Sequence, residues 1–173
     1  MCSDVAGVVE SCGPGVIGFE PGDEVCAVTR GLKGGALAEY AVAKKSCCAL
    51  KPQRMSWELA AAVPSVSLTA FSAVKKVRPA SEVLVVGASG GVGQFALALA
   101  RLEVWAVDAV SSSGGMADAA RLGARLAYDY REGLSAVRGV YECILAVNGA
   151  YSASDYLRLI KPGGTLVLVG LIR

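Results

Sequence analysis

The chain has 173 residues, 54% of them hydrophobic and 18% charged, a composition that supports a buried core and lies far from that of a disordered chain. Its 17 basic and 15 acidic side chains give a formal net charge of +2 without blocks of one sign, so there is no electrostatic footprint for nucleic acid or an anionic membrane surface, and neither is expected as a partner. Histidine is absent, which excludes a Ser-His-Asp triad, a Cys-His pair and a histidine-ligated zinc.

The opening Met1-Cys2-Ser3-Asp4 lacks the basic residues and apolar run of a secretory signal. The six cysteines show no C-x-x-C spacing and are expected to be free thiols in a reducing compartment. The first fifty residues alternate short apolar runs (DVAGVVES, GALAEYAV) with Gly13-Pro14-Gly15 and Pro21-Gly22-Asp23, which read as strands joined by turns. From Ser56 the texture changes to helix formers. Ser56, three residues before Leu59, is placed to cap a helix, and a second helical stretch follows Pro64 through Val74. The domain boundary is therefore expected near Lys51 to Ser56, dividing the chain into 1–51 and 52–173.

Beyond Pro79, strands and helices alternate: EVLVVGA, a helix to Arg101, EVWAVDAV, a helix over residues 116–122, RLAYDY, YECILAVN, a helix over residues 154–160, and TLVLVGL. The strands are nearly continuous apolar runs, as parallel strands covered by helices on both faces must be. The expected fold is α/β, with five parallel strands of Rossmann type. The run from Val83 to Ala100 is almost long enough to cross a membrane, but its glycines and its strand-to-helix break argue against a span.

The most informative segment is VLVVGASGGVGQFALALA, where a strand enters Gly87-Ala88-Ser89-Gly90-Gly91-Val92-Gly93 and a helix leaves at once. Glycines there permit a sharp turn and let backbone N–H groups approach a pyrophosphate at the positive end of the helix dipole. Against G-x-G-x-x-G the match is Ala88-x-Gly90-x-x-Gly93, with alanine in place of the first glycine. The alternative is that the glycines only shape a tight loop. About twenty residues on, Asp108 stands where an acidic residue at the end of the second strand would accept hydrogen bonds from the adenosine ribose. Its charge would repel a 2′-phosphate, and no Arg or Lys occurs in residues 109–115 to offset it, so Asp108 favours NADH. An ordinary strand-end aspartate capping a turn is the alternative.

With these residues in view, the chain resembles the zinc-free medium-chain dehydrogenases/reductases of the quinone or enone oxidoreductase type, including the plant chloroplast-envelope enzymes. The matching stretches, in family order, are DVAGVV, GFEPGDEV, GGALAEYAV, LAAAVPSVSLTA, VLVVGASGGVG, RLGARLAYDY and KPGGTLVLVGL. The resemblance implies part of a GroES-like β domain over 1–51 and a Rossmann domain over 52–173, with the chain shorter than the family at both ends and without the last Rossmann strand. It also implies further contacts: Thr69 and Gly170-Leu171 beside a nicotinamide, and Tyr130 beside an adenine.

The same resemblance implies hydride transfer from NAD(P)H to a quinone or α,β-unsaturated carbonyl, with NADPH the family habit. A cytoplasmic or plastid location goes with it, while the open edge of the last strand and the missing strands of the first domain are expected to invite association, such as a homodimer. Zinc-dependent relatives carry a His-Glu pair where this chain has Ser3-Asp4, so no metal is expected, and no catalytic acid is named. A truncated, non-catalytic nucleotide-binding module is the competing expectation.

Overall fold

The computed structural model describes residues 3–29, 35–78, 82–103, 105–147 and 151–170. The chain forms two compact units, Met1–Val66 and Ser67–Arg173, so the division falls later than the change in composition near Lys51.

In the first unit β1 (Asp4–Val8), β2 (Glu24–Val28) and β3 (Cys48–Leu50) form an antiparallel sheet in that order. Asp4 pairs with Val28, and Cys26 with Ala49. Helix α1 (Trp57–Ala62) begins as its sequence requires: the Ser56 hydroxyl accepts the Leu59 N–H at 3.3 Å, satisfying one of the donors a helix start leaves open. Asp4 caps the next helix, α2 (Pro64–Val74), accepting from the Ser65 N–H at 3.2 Å and the Ser65 hydroxyl at 2.5 Å. Lys51 is buried beside Glu24 at 2.9 Å, with its ammonium 4.8 Å from the Trp57 ring centre.

The second unit is a five-stranded parallel sheet built from β4 (Glu82–Val86), β5 (Ala106–Ser111), β6 (Ala127–Asp129), β7 (Tyr141–Val147) and β8 (Ile160–Val169). Their order is β6-β5-β4-β7-β8. The chain winds outward from a central β4 in both directions, which creates a switch point at the carboxyl ends of β4 and its neighbours. Side-chain alternation divides the core. Val83, Val85, Val107, Ala109, Cys143 and Leu145 pack on one face with Ala70 and Val74 of α2, Ala96 and Leu97 of α3 (Gly91–Leu102) and Ala119 of α4 (Met116–Arg121). Leu84, Val86, Val110, Ile144 and Ala146 pack on the other face with Leu134, Tyr156 of α5 (Ala153–Leu157) and Leu159. Both faces are covered, and this explains the uninterrupted apolar strands.

Two boundaries differ from the sequence reading. The last helix stops at Leu157 because Ile160 already pairs with Tyr141; β7 and β8 then lose register between Tyr141 and Cys143, and Cys143 pairs with Thr165. Strand β5 starts at Ala106, after α3 has run to Leu102, so its pairing with β4 begins at Glu82 opposite Ala106.

Candidate functional site

Strand β4 ends at Val86 and the chain turns at Gly87, whose φ is +86°. The N–H groups of Gly87 and Ala88 both donate to the Val110 carbonyl of β5 at 2.9 Å, which ties the turn to the neighbouring strand. A Cβ on Gly87 would stand 2.2 Å from the Val147 carbonyl oxygen at the end of β7. Positive φ and close approach each demand glycine here. Gly93 is buried, and a Cβ there would meet the Gly87 carbonyl at 2.2 Å and Ala88 Cα at 2.7 Å. Its bare backbone is what lets α3 press on the turn.

Gly90 differs from both. It precedes α3 with φ −77°, and a Cβ there would meet only the Gly87 carbonyl, at an ordinary 3.5 Å. The first intrahelical bond of α3 runs from the Gln94 N–H to the Gly90 carbonyl at 2.9 Å. The N–H groups of Gly91, Val92 and Gly93 therefore begin the helix without an intrahelical acceptor, at the positive end of its dipole. Gln94 folds back to donate to the Ser89 carbonyl at 2.8 Å. The turn is closed on the protein side at Gly87 and Gly93, and open at Gly90.

The structure withdraws Asp108 from this site. Asp108 pairs with Leu84 in mid-strand, with Ala109, Val110 and Ser111 still to come before β5 ends. Its side chain is only 4% exposed, and both oxygens are engaged: Arg125 Nε reaches Oδ1 and Nη2 reaches Oδ2, each at 3.1 Å, while the Tyr141 hydroxyl donates to Oδ2 at 2.9 Å. Burial, then the adjoining Asp108 carboxylate, push the Tyr141 hydroxyl far above its usual range. Arg125 also lies 3.8 Å from Glu82, which pairs with Lys161 at 2.6 Å. Asp108 thus belongs to an ionic network toward the amino edge of the sheet, and its carboxylate cannot hold a ribose at the carboxyl edge. The cause is the late start of β5.

The carboxyl end of β5 instead carries Ser111, Ser112 and Ser113. Ser111 is buried and donates to the Ser112 carbonyl at 3.0 Å. The segment rests on the glycine-rich turn, since a Cβ on Gly115 would lie 2.3 Å from Ser89 Cβ. Beside it β6 ends, with Ser111 paired to Asp129. Asp129 accepts from the Arg131 backbone N–H at 3.0 Å, and from Arg131 Nη2 at 2.8 Å. These hydrogen bonds hold the Asp129 carboxyl down to about 2. Arg131 Nη2 also donates to the Ser113 hydroxyl. Sequence reasoning missed both Gly115 and Arg131. The paired glycines at 114–115 were a signal for the first, whereas nothing local marks Arg131 as a neighbour of residue 113.

Tyr130 follows β6 with its ring about half exposed, and its carbonyl accepts from the Tyr151 hydroxyl at 2.9 Å. Gly170 follows β8 with φ +103° and open space where a Cβ would be. Leu171 lies outside the described residues. Thr69 is half-buried on α2, next to Ala70, which shares a core cluster with Ala88 of the turn. The turn, the end of β5, Tyr130 and Gly170 all occupy the carboxyl edge of the sheet. A pocket of about 240 Å³ opens at the amino edge, lined by Lys76, Arg78, Glu142, Lys161 and Thr165 among others. Among the described residues no three His, Cys, Asp or Glu side chains gather as a metal-binding group, and no helix is long and apolar enough to cross a membrane.

Residues 1–53 match the alcohol dehydrogenase GroES-like domain. The chain is 39% identical over 137 residues to the mitochondrial NAD(P)H oxidoreductase RTN4IP1 of Homo sapiens, covering 75% of this chain and 35% of that protein. It is 34% identical over 177 residues to 2-methylene-furan-3-one reductase of Solanum lycopersicum, covering 96% of this chain and 45% of the relative. The solved quinone oxidoreductase from Coxiella burnetii superposes with a TM-score of 0.87 at 26% identity, over 95% of this chain and 53% of that one. The chain thus spans less than half the length of these two sequence relatives.

Proposed function

Since the chain belongs to the medium-chain dehydrogenases/reductases of the quinone-oxidoreductase type, we propose that it binds NAD(P)H at the carboxyl edge of its parallel sheet and serves reduction of a quinone or α,β-unsaturated carbonyl. The observation that carries this is the asymmetry of the glycine-rich turn: backbone fills the space at Gly87 and Gly93, while at the solvent-exposed Gly90, at the head of α3, a Cβ would meet one atom only, at an ordinary contact distance. A structural turn needs the first two. The open side at Gly90 fits a pyrophosphate, which would accept from the N–H groups of Gly91, Val92 and Gly93.

Reduced nicotinamide, when bound, supplies a hydride to an electron-poor carbon, and a proton completes the reduction. The chain's own part is to orient. Ser112 and Ser113 offer the adenosine ribose hydroxyl partners at the end of β5, where Ser111 is buried and bound to the Ser112 carbonyl, and the exposed ring of Tyr130 offers the adenine a flat face. Thr69 and Gly170 are assigned to the nicotinamide end, with Leu171 following Gly170 in the chain. The strand-rich residues 1–51 are assigned to the substrate domain, and 52–173 to the cofactor. With Asp108 held in the sheet, its carboxylate no longer opposes a 2′-phosphate, and NADPH is as admissible as NADH.

The test is a fluorescence titration of the chain with NADPH and NADH, followed by steady oxidation of the bound nucleotide with a quinone and an enone. Saturable binding with turnover supports the whole reading. Binding without turnover supports the nucleotide-binding module alone, and no binding refutes both.

A further inference from the structure

We propose that Asp129 and Arg131 together set the choice between NADPH and NADH, with Arg131 the phosphate ligand and Asp129 the group that restrains it; this rests on the adenosine end lying over the carboxyl end of β5. A 2′-phosphate there would find the Ser112 and Ser113 hydroxyls, Ser111 being buried, but no cation and no carboxylate in residues 109–115. The charges come from the next strand. The pairing of Ser111 with Asp129 brings the turn after β6 alongside, and Arg131 reaches across it to the Ser113 hydroxyl. A guanidinium presents a planar fork that matches phosphate oxygens.

Arg131 is also committed to its own neighbour. Its Nε lies 3.2 Å from both Asp129 oxygens, and Nη2 lies 2.8 Å from one of them. The Arg131 backbone N–H binds the same carboxylate, which therefore stays in place even when the side chain turns away. At neutral pH the carboxylate is ionised. A 2′-phosphate entering here gains the guanidinium but meets a fixed negative charge that competes for it, so the two effects oppose each other at contact distance. A nucleotide with a free 2′-hydroxyl meets neither the full attraction nor the full repulsion.

The pair makes an experiment with opposite signs. Dissociation constants for NADPH and NADH are measured by fluorescence for the wild-type chain, Asp129→Asn and Arg131→Gln, with thermal melting of each variant as the fold control. Asp129→Asn should tighten NADPH at least fivefold, and Arg131→Gln should weaken it at least fivefold, with NADH changing less than twofold in either. The NADPH changes should shrink as salt is raised, because they are electrostatic. If both nucleotides bind the wild type and neither substitution moves the ratio, this inference is overturned while the cofactor reading stands. Equal shifts for NADPH and NADH overturn it as well, since they mark a purely structural pair. If neither nucleotide binds the wild type, the cofactor reading falls and carries this inference with it.

Discussion

Gly90 and Gly93 stand three residues apart in one turn, and alanine at each should fail in a different way. At Gly93 the new Cβ would lie 2.2 Å from the Gly87 carbonyl oxygen and 2.7 Å from Ala88 Cα. Relief requires α3 to back away from β4 by about an ångström, and overpacking of this kind costs about 1–3 kcal/mol. Both obstacles are backbone, which cannot swing aside, so the upper half of that range applies. The gain in helix propensity, about 1 kcal/mol, leaves a net loss of roughly 1–2 kcal/mol. For a chain of this size that lowers Tm by roughly 2–8 °C.

At Gly90 the new Cβ meets one atom, at 3.5 Å, with φ at −77°, so neither clash nor strain arises. Exchanging glycine for alanine before a helix costs at most about 1 kcal/mol. The methyl group would occupy the open side that the pyrophosphate is proposed to fill, and losing even one hydrogen bond to a charged phosphate costs about 1.5–3 kcal/mol, at least tenfold in affinity. Melting curves and NADPH titrations of the two variants are the assay. Gly90→Ala should melt near the wild type and bind at least tenfold more weakly, whereas Gly93→Ala should melt markedly lower. Wild-type affinity in Gly90→Ala would refute the proposed cofactor site, and wild-type melting in Gly93→Ala would refute the packing argument.

Asp108→Asn should destabilise the chain by about 2 kcal/mol, the cost of breaking a buried pair discounted because the Arg125 side chain is 47% exposed. It should leave the NADPH to NADH affinity ratio unchanged, and a shifted ratio in cofactor titrations would restore Asp108 to the site. Tyr141 has a folded pKa above its ordinary value of 10.0, so above pH 10 the unfolded chain releases a proton that the folded chain keeps. Stability should therefore fall with rising pH from about 10 upward. Denaturant melts of wild type and Tyr141→Phe should show a shallower fall in the variant, and identical slopes would count against the assignment. Burial raises the Cys143 thiol to about 11, whereas Cys12 is exposed. A thiol reagent with mass-spectrometric mapping at neutral pH should label Cys12 early and Cys143 only on unfolding; early labelling of Cys143 would show that the core opens.

The elements whose signals lie within a few residues were legible in the sequence. The Ser56 cap needs only Leu59 three residues on, the apolar runs of the central strands report burial on both faces, and the glycine-rich turn is recognisable because strand, turn and helix are contiguous. Asp108 was misplaced because counting along the chain does not say where a strand begins. That start is settled by how far α3 runs before Trp105 packs on the core, and by which residue of β4 meets Ala106. A shift of a few residues turned a supposed ribose ligand into a buried ion-pair partner.

Arg131 was invisible for a related reason. Its place beside Ser113 depends on β6 lying in parallel next to β5, a pairing between segments eighteen positions apart at the contact. Local sequence determines which segments become strands and helices, because propensity, capping and burial period act over one or two turns of chain. Which charges face one another depends on strand register, and register is a property of the packed sheet.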